Sequence, residues 1–232
     1  MSSKVKLIEG ENFIMVEEAG EEEVINLMTH LEAEYSEVEH FSILLNEKRT
    51  LLAGSELKAN GYVQEDTIIY VHKTLAEHTE DGSSIEVRLQ SESFFRDVWE
   101  KTMTDSLNAP SKLNMEEQMR GLKKEIGAPY LQSCLTAYEN EQAIGIIMPH
   151  IEPGTKEEGR LFYFGVLPEF RRQGRGRELH HLALTKLRKE FGASDYIGAT
   201  SHNNTPMLRI FEANGCNLKA KRNLFKKTRL IN

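Results

Sequence analysis

At 232 residues, 39% hydrophobic and with two cysteines, the chain suits one large domain or two small ones and excludes a disulfide framework. No apolar run approaches the ~20 residues of a bilayer span, and residues 1–6 lack the apolar core of a secretory leader. The expectation is a cytoplasmic protein with two free thiols, Cys134 and Cys216, and no membrane partner.

The net charge of −7 hides an asymmetry. Residues 1–80 carry 17 acidic and 6 basic side chains, residues 160–232 carry 5 acidic and 15 basic. The basic part suits a polyanionic ligand, with a merely solvated basic face as the alternative. Its charges are not interleaved with aromatics, so nucleic acid is not the expected partner.

In chain order, Glu17, Glu18 and Glu21–Glu23 read as the solvated start of a helix running to Tyr35. Its stripe of Val24, Leu27, Met28 and Leu31 faces a core. Leu75 to Ser84 is polar and turn-rich. We therefore divide the chain into a small acidic α/β domain (1–76), a linker (77–83) and a main domain (84–232). Ile85–Leu89 alternates as a strand, and Ser91 to Ser106 is a helix carrying Phe94, Phe95, Val98, Trp99 and Met103 at helical spacing. Asn114 caps a second helix that ends at Gly127. Tyr130–Tyr138 and Gln142–Ile151 read as strands joined by a hairpin turn at Glu139–Glu141, with Pro149 marking a bulge or an edge. A loop, Glu152–Gly159, leads to the strand Leu161–Leu167. A basic, glycine-punctuated turn follows, and a helix opens at about Arg175. Ser194–Thr200 is a strand, Thr205–Asn214 a helix stopped by Gly215, and Asn217–Leu230 one or two final strands.

Overlaid at an offset of 154 residues, Ala59-Asn60-Gly61 falls on Ala213-Asn214-Gly215, Lys73-Thr74 on Lys227-Thr228, Ile43 on Ile197 and Leu57 on Phe211. Chance accounts for so few matches, or residues 1–76 are a degenerate copy of the main domain's second half. In that copy Val16–Glu23 is acidic where the other is basic, so it should not bind an anion.

The run Val166-x-Pro168-Glu169-x-Arg171-x-x-Gly174-x-Gly176 sits between a strand and a helix. With Asn204-x-x-Met207-x-x-x-Phe211-x-x-x-Gly215, it resembles the GNAT superfamily of N-acetyltransferases over about residues 84–232. The resemblance implies an α/β (α+β) fold with a mixed, mostly antiparallel central sheet flanked by helices. It implies acetyl-CoA or another acyl-CoA as co-substrate, no metal, and a small-molecule or peptide amine as acceptor. Gly174 and Gly176 let the backbone approach a ligand, and N–H groups from Gln173 to Arg177 can meet a pyrophosphate. Arg171, Arg172, Arg175 and Arg177 add charge, though not all can face one ligand. Backbone near Val166 and Leu167 would pair with the pantetheine arm, and Asn204 would bond it.

The family's acidic tyrosine is replaced by Phe211. The nearest titratable candidates for catalysis are Tyr163 and His202, whose plainer readings are a core aromatic and a loop residue. His180, His181 and Cys216 show no zinc spacing and read as packing or surface. The expected activity is acyl-CoA-dependent N-acyl transfer, most simply of acetyl. The alternatives are a non-catalytic acyl-CoA binder and a nucleotide-binding module. Polyamine, aminoglycoside-like, amino-acid and protein amines stay open as acceptors. The loops Ser106–Met115 and Ile151–Arg160 are the expected acceptor walls, and the acidic N-terminal part would steer a cationic amine.

Overall fold

The computed structural model describes residues 6–10, 12–18, 24–47, 50–75, 84–107 and 114–229. They fall into two compact units, Met1–Tyr70 with Lys219–Asn232, and Val71–Leu218.

The first unit contains β1 (Lys6–Glu9), β2 (Phe13–Glu18), α1 (Val24–Glu34), β3 (His40–Asn46), α2 (Thr50–Ala59) and β4 (Val63–Thr74) up to Tyr70. Most of the last strand, β10 (Asn217–Thr228), also belongs to it. Strand order is β1-β2-β3-β10-β4. β2 and β3 run parallel, and β10 pairs antiparallel with β3 from Arg222↔Asn46 to Thr228↔His40. Val24, Met28 and Leu31 recur on one face of α1 and pack with Ile14, Val16, Phe41, Ile43, Leu57 and Phe225, all buried. The expected linker, 77–83, lies outside the described residues; the division it marks places all of 84–232 together, whereas Lys219–Arg229 packs with the first unit and Val71–Thr74 with the second. The reason is a strand pairing across some 180 residues, which no local pattern encodes.

The acidic stretch near residue 20 also departs from its expected form. Glu17 lies in β2, is 5% exposed, pairs with Lys6 at 2.8 Å and accepts from Tyr70 Oη at 3.2 Å. It is therefore a bonded buried carboxylate and not part of a solvated helix start. Residues 19–23, and so the turn itself, lie outside the described residues.

The second unit contains β5 (Glu86–Leu89), α3 (Glu92–Met103), α4 (Met115–Ile126), α5 (Tyr130–Ser133), β6 (Leu135–Glu139), β7 (Gln142–Ile151), β8 (Glu158–Val166), α6 (Arg175–Lys189), β9 (Asp195–Ser201) and α7 (Thr205–Ala213). Strand order runs β9-β8-β7-β6-β5. The β5–β6, β6–β7 and β7–β8 pairs are antiparallel, and β8–β9 is parallel. The end of β4 lies beside β9, with His72 and Thr74 both hydrogen-bonded to Asp195.

Local chemistry explains most of these elements. Ser91 caps α3. Asn114 and Glu117 form a reciprocal capping box on α4, and Gly127 closes it at φ +79°. Asn140 and Glu141 both take positive φ in the β6–β7 hairpin. The one strand that fails is Tyr130–Tyr138. Its first four residues form the short helix α5, entered through Pro129, and only Leu135–Glu139 is extended. Apolar content there does not distinguish a buried turn of helix from a strand.

Trp99 anchors the core on the α3–α4 side of the sheet, with Phe95, Leu122, Ile146 and Met148. On the other side α6 buries Leu179, Ala183, Leu184 and Leu187.

Candidate active site

The site grows from how β8 ends. β8 and β9 pair at Glu158↔Asp195 and Gly159↔Tyr196, the first two positions of each strand. Past that point Arg160–Val166 and Ile197–Ser201 diverge, leaving two facing backbone edges unpaired with each other. Such edges accept an extended ligand as an added strand.

β8 is also bulged. Against β7, Phe164 opposes Ile147 and Leu161 opposes Pro149, so Phe162 and Tyr163 share the single position opposite Met148. The aromatic contacts agree. Trp99 meets both Phe162 (6.2 Å between centroids) and Tyr163 (5.8 Å), which a regular strand would send to opposite faces. The bulge leaves a backbone group out of the ladder and open to a ligand. The break lies beside Pro149, as the proline suggested.

After Val166 the chain turns through a single 3-10 turn, Pro168–Phe170, and then through Arg172 at φ +61° and Gly174 at φ +83° into α6. Turns with residues at positive φ form concavities that can bind anions, and the N-terminal end of α6 adds its dipole. The Arg177 and Glu178 N–H groups donate to Gly174 O at 3.0 and 3.4 Å. That leaves Gln173 to Gly176 as the candidate anion cradle, narrower than the expected Gln173–Arg177. A Cβ on Gly176 would lie 3.0 Å from Ile210 Cδ1, so a side chain there would press on α7. Leu167 is less suited to a ligand than expected. Its N–H donates to Ile144 O at 2.9 Å and its carbonyl accepts from Phe170 N at 3.0 Å.

The four arginines divide by role. Arg171 does not point at the cradle. Its guanidinium donates to Val166 O (2.9 Å), Thr102 O (3.0 Å), Thr104 O (2.8 Å) and Asp105 O (3.2 Å). It thus ties the turn to the C-terminal carbonyls of α3, groups a helix cannot satisfy itself. Arg175 pairs with Glu139 at 2.9 Å and Glu178 at 3.4 Å. Arg172 and Arg177, at the turn and in the first turn of α6, are exposed.

Asn204 is 5% exposed. Its Oδ1 caps α7 by accepting from Met207 N, and its Nδ2 donates to Thr200 Oγ1. Its placement is accounted for by building the helix that carries Phe211. Phe211 is 2% exposed and stacks edge-on with His180 at 5.5 Å. Asn214 Nδ2 donates to His180 Nδ1, so the ring proton sits on Nε2 and faces Tyr196 Oη at 3.2 Å. Burial lowers the His180 pKa to about 3, so the ring is neutral. His180 is a packing residue, as its helix position suggested, and His181 is half-buried.

Tyr163 donates to Thr102 O at 3.2 Å, and burial raises its pKa, which disfavours it as a base. His202 is exposed in the turn after β9. The residue that sequence reasoning passed over is His150, read only as the end of a strand. It is 3% exposed on β7, with Glu152 and Arg160 beside it. Among the described residues no cluster of three His, Cys, Asp or Glu side chains could hold a metal, and no helix is long and apolar enough to cross a membrane. The loop residues 108–113 lie outside the described residues.

No curated protein is a detectable sequence match. Solved structures are similar in fold. One is a GCN5-related N-acetyltransferase from Sphaerobacter thermophilus (TM-score 0.66, 14% identity, 97% of this chain and 76% of that one). A tandem GNAT protein from the clavulanic acid biosynthesis pathway gives a TM-score of 0.63 at 12% identity, over 98% of this chain and 79% of that one. A GCN5-related N-acetyltransferase from Kribbella flavida gives 0.58 at 13% identity, over 96% and 89%. The splayed β8–β9 pair, the bulge and the glycine turn occupy residues 158–201, inside the 93–216 segment matched by the model of the acetyltransferase (GNAT) family, and the chain belongs to that family.

Proposed function

We propose that the second unit is an N-acetyltransferase that passes acetyl from acetyl-CoA directly to an amine. One observation carries the reading: the edges of β8 and β9, unpaired with each other past Gly159, open beside a turn in which Arg172 and Gly174 take positive φ at the start of α6. In this reading the pyrophosphate takes the N–H groups of Gln173–Gly176, with Arg172 and Arg177 adding charge. The pantetheine arm runs back along β8 from Val166 toward the bulge. Backbone freed at Phe162–Tyr163 stabilises the oxyanion that forms as the amine attacks the thioester carbonyl.

Phe211 favours a second reading, an acyl-CoA binder that does not turn over, because it has no proton to give the leaving sulfur. A thiolate can leave unprotonated, so the first reading stands. Residues 40–74 fit a half-copy of residues 194–228. β3, α2 and β4, shifted by 154 residues, fall on β9, α7 and β10, and Gly61 and Gly215 take φ of +85° and +71°.

The test is thiol release from acetyl-CoA with a panel of alkylamines, aminoglycosides, amino acids and peptides. Turnover with one class identifies the acceptor. Saturable acetyl-CoA binding with no thiol release from any amine would establish the binder instead.

A further inference from the structure

His150 is buried with neither ring nitrogen hydrogen-bonded. Buried polar groups are nearly always paired, so an orphaned imidazole asks for a ligand, a water or a reaction. Its surroundings form a graded path of charge. Nε2 lies 3.8 Å from Glu152 Oε2, which lies 3.3 Å from Arg160 Nε, and Arg160 donates in turn to Glu158 Oε1 at 2.8 Å. Side-chain exposure rises along it, 3% at His150, 11% at Glu152, 20% at Arg160 and 26% at Glu158.

Its place in the fold is also specific. His150 opposes Arg160 in the β7–β8 ladder, and Arg160 is the first β8 residue past the last β8–β9 pair. His150 thus stands at the closed end of the splay, opposite the glycine turn. An arm anchored at the turn and laid along β8 carries its thioester toward that end. Two residues beyond Met148 on the same strand, His150 is on the α3–α4 face, away from α6.

We propose that His150 is a catalytic residue, the general base that deprotonates the acceptor amine, with Glu152 as its counter-charge and the route by which the proton leaves. The inference rests on the acetyltransferase reading above. The acceptor arrives as an ammonium. One N–H bond breaks, its electron pair stays on nitrogen, and the proton passes to His150 Nδ1, directly or through one water. The lone pair forms the N–C bond to the acyl carbon, the C–S bond breaks and its pair leaves on sulfur. Of the two protons the nitrogen loses, one reaches solvent through His150 and Glu152 and the other ends on the CoA sulfur. Glu152 steadies the imidazolium in between.

The test begins with the best alkylamine from the panel and measures thiol release by the full chain. His150→Gln should lower kcat about 100-fold or more, the usual span for a removed base, while acetyl-CoA affinity and melting temperature stay close to wild type. Glu152→Gln should give a smaller loss. In His150→Gly, added imidazole should restore turnover, and pyrazole, a ring of equal size that is barely basic, should not. Wild-type kcat in His150→Gln, or equal rescue by pyrazole, would overturn the assignment. Wild type that binds acetyl-CoA yet releases no thiol with any amine would overturn the acetyltransferase reading itself, before any variant is made.

Discussion

Arg171→Lys separates a clamp from a phosphate ligand. The guanidinium donates four hydrogen bonds to backbone carbonyls, two of them, to Val166 O and Thr102 O, partly buried. Lysine keeps the charge but offers one ammonium where the fork reaches three directions. We count the two partly buried bonds as lost and the exposed pair as replaced by water. A hydrogen bond from a charged donor contributes about 1.5–3 kcal/mol, and partial exposure puts these two at the low end, so the variant should lose roughly 3 kcal/mol. For a chain of this length that is a fall in melting temperature of roughly 6–12 °C, from ~2–4 °C per kcal/mol. Acetyl-CoA affinity should fall as well, because the clamp positions the turn in which Arg172 and Gly174 take positive φ. The assay is thermal unfolding with and without acetyl-CoA, paired with calorimetric titration. A variant with wild-type melting temperature but a large loss of affinity would refute the clamp and return Arg171 to the ligand. A variant unchanged in both would refute either role.

Two further outcomes follow from buried groups. His180 is neutral in the fold with its pKa lowered to about 3, against ~6.5 when unfolded, so the unfolded chain binds the extra proton between those values. Its share of stability is whole above pH 6.5 and lost as pH falls from there toward 3. By pH 5 that is about 2 kcal/mol at ~1.4 kcal/mol per unit. Denaturant titration at pH 7 and pH 5 should show this loss in wild type and a flatter dependence in His180→Asn, and equal slopes would count against it. Burial pushes the Cys134 thiol to about 12 and Cys216 to about 11, so neither should react with a disulfide reagent at pH 8 until the protein unfolds. Rapid labelling of the native protein would show that one of them is reachable.

Features that depend on near neighbours are readable from the residues alone. The capping box at Asn114, the glycine stops at Gly127 and Gly215 and the positive-φ turn before α6 are set by residues within a few positions, so they are legible as text. The turn's motif carried the family for the same reason. Which groups that turn can offer depends on contacts made by distant parts of the chain. Arg171 reads as a phosphate ligand until its carbonyl partners, up to 69 residues earlier in the chain, are seen. Val71–Thr74 and Lys219–Thr228 join units other than those their sequence positions suggest, because strand pairing is chosen by backbone edges that only the folded chain brings together. His150 reads in the sequence as the end of a strand. A buried imidazole and an exposed one are spelled alike, and what differs is whether the fold supplies it a partner, which is a property of the ladder between β7 and β8 and not of the letters around it.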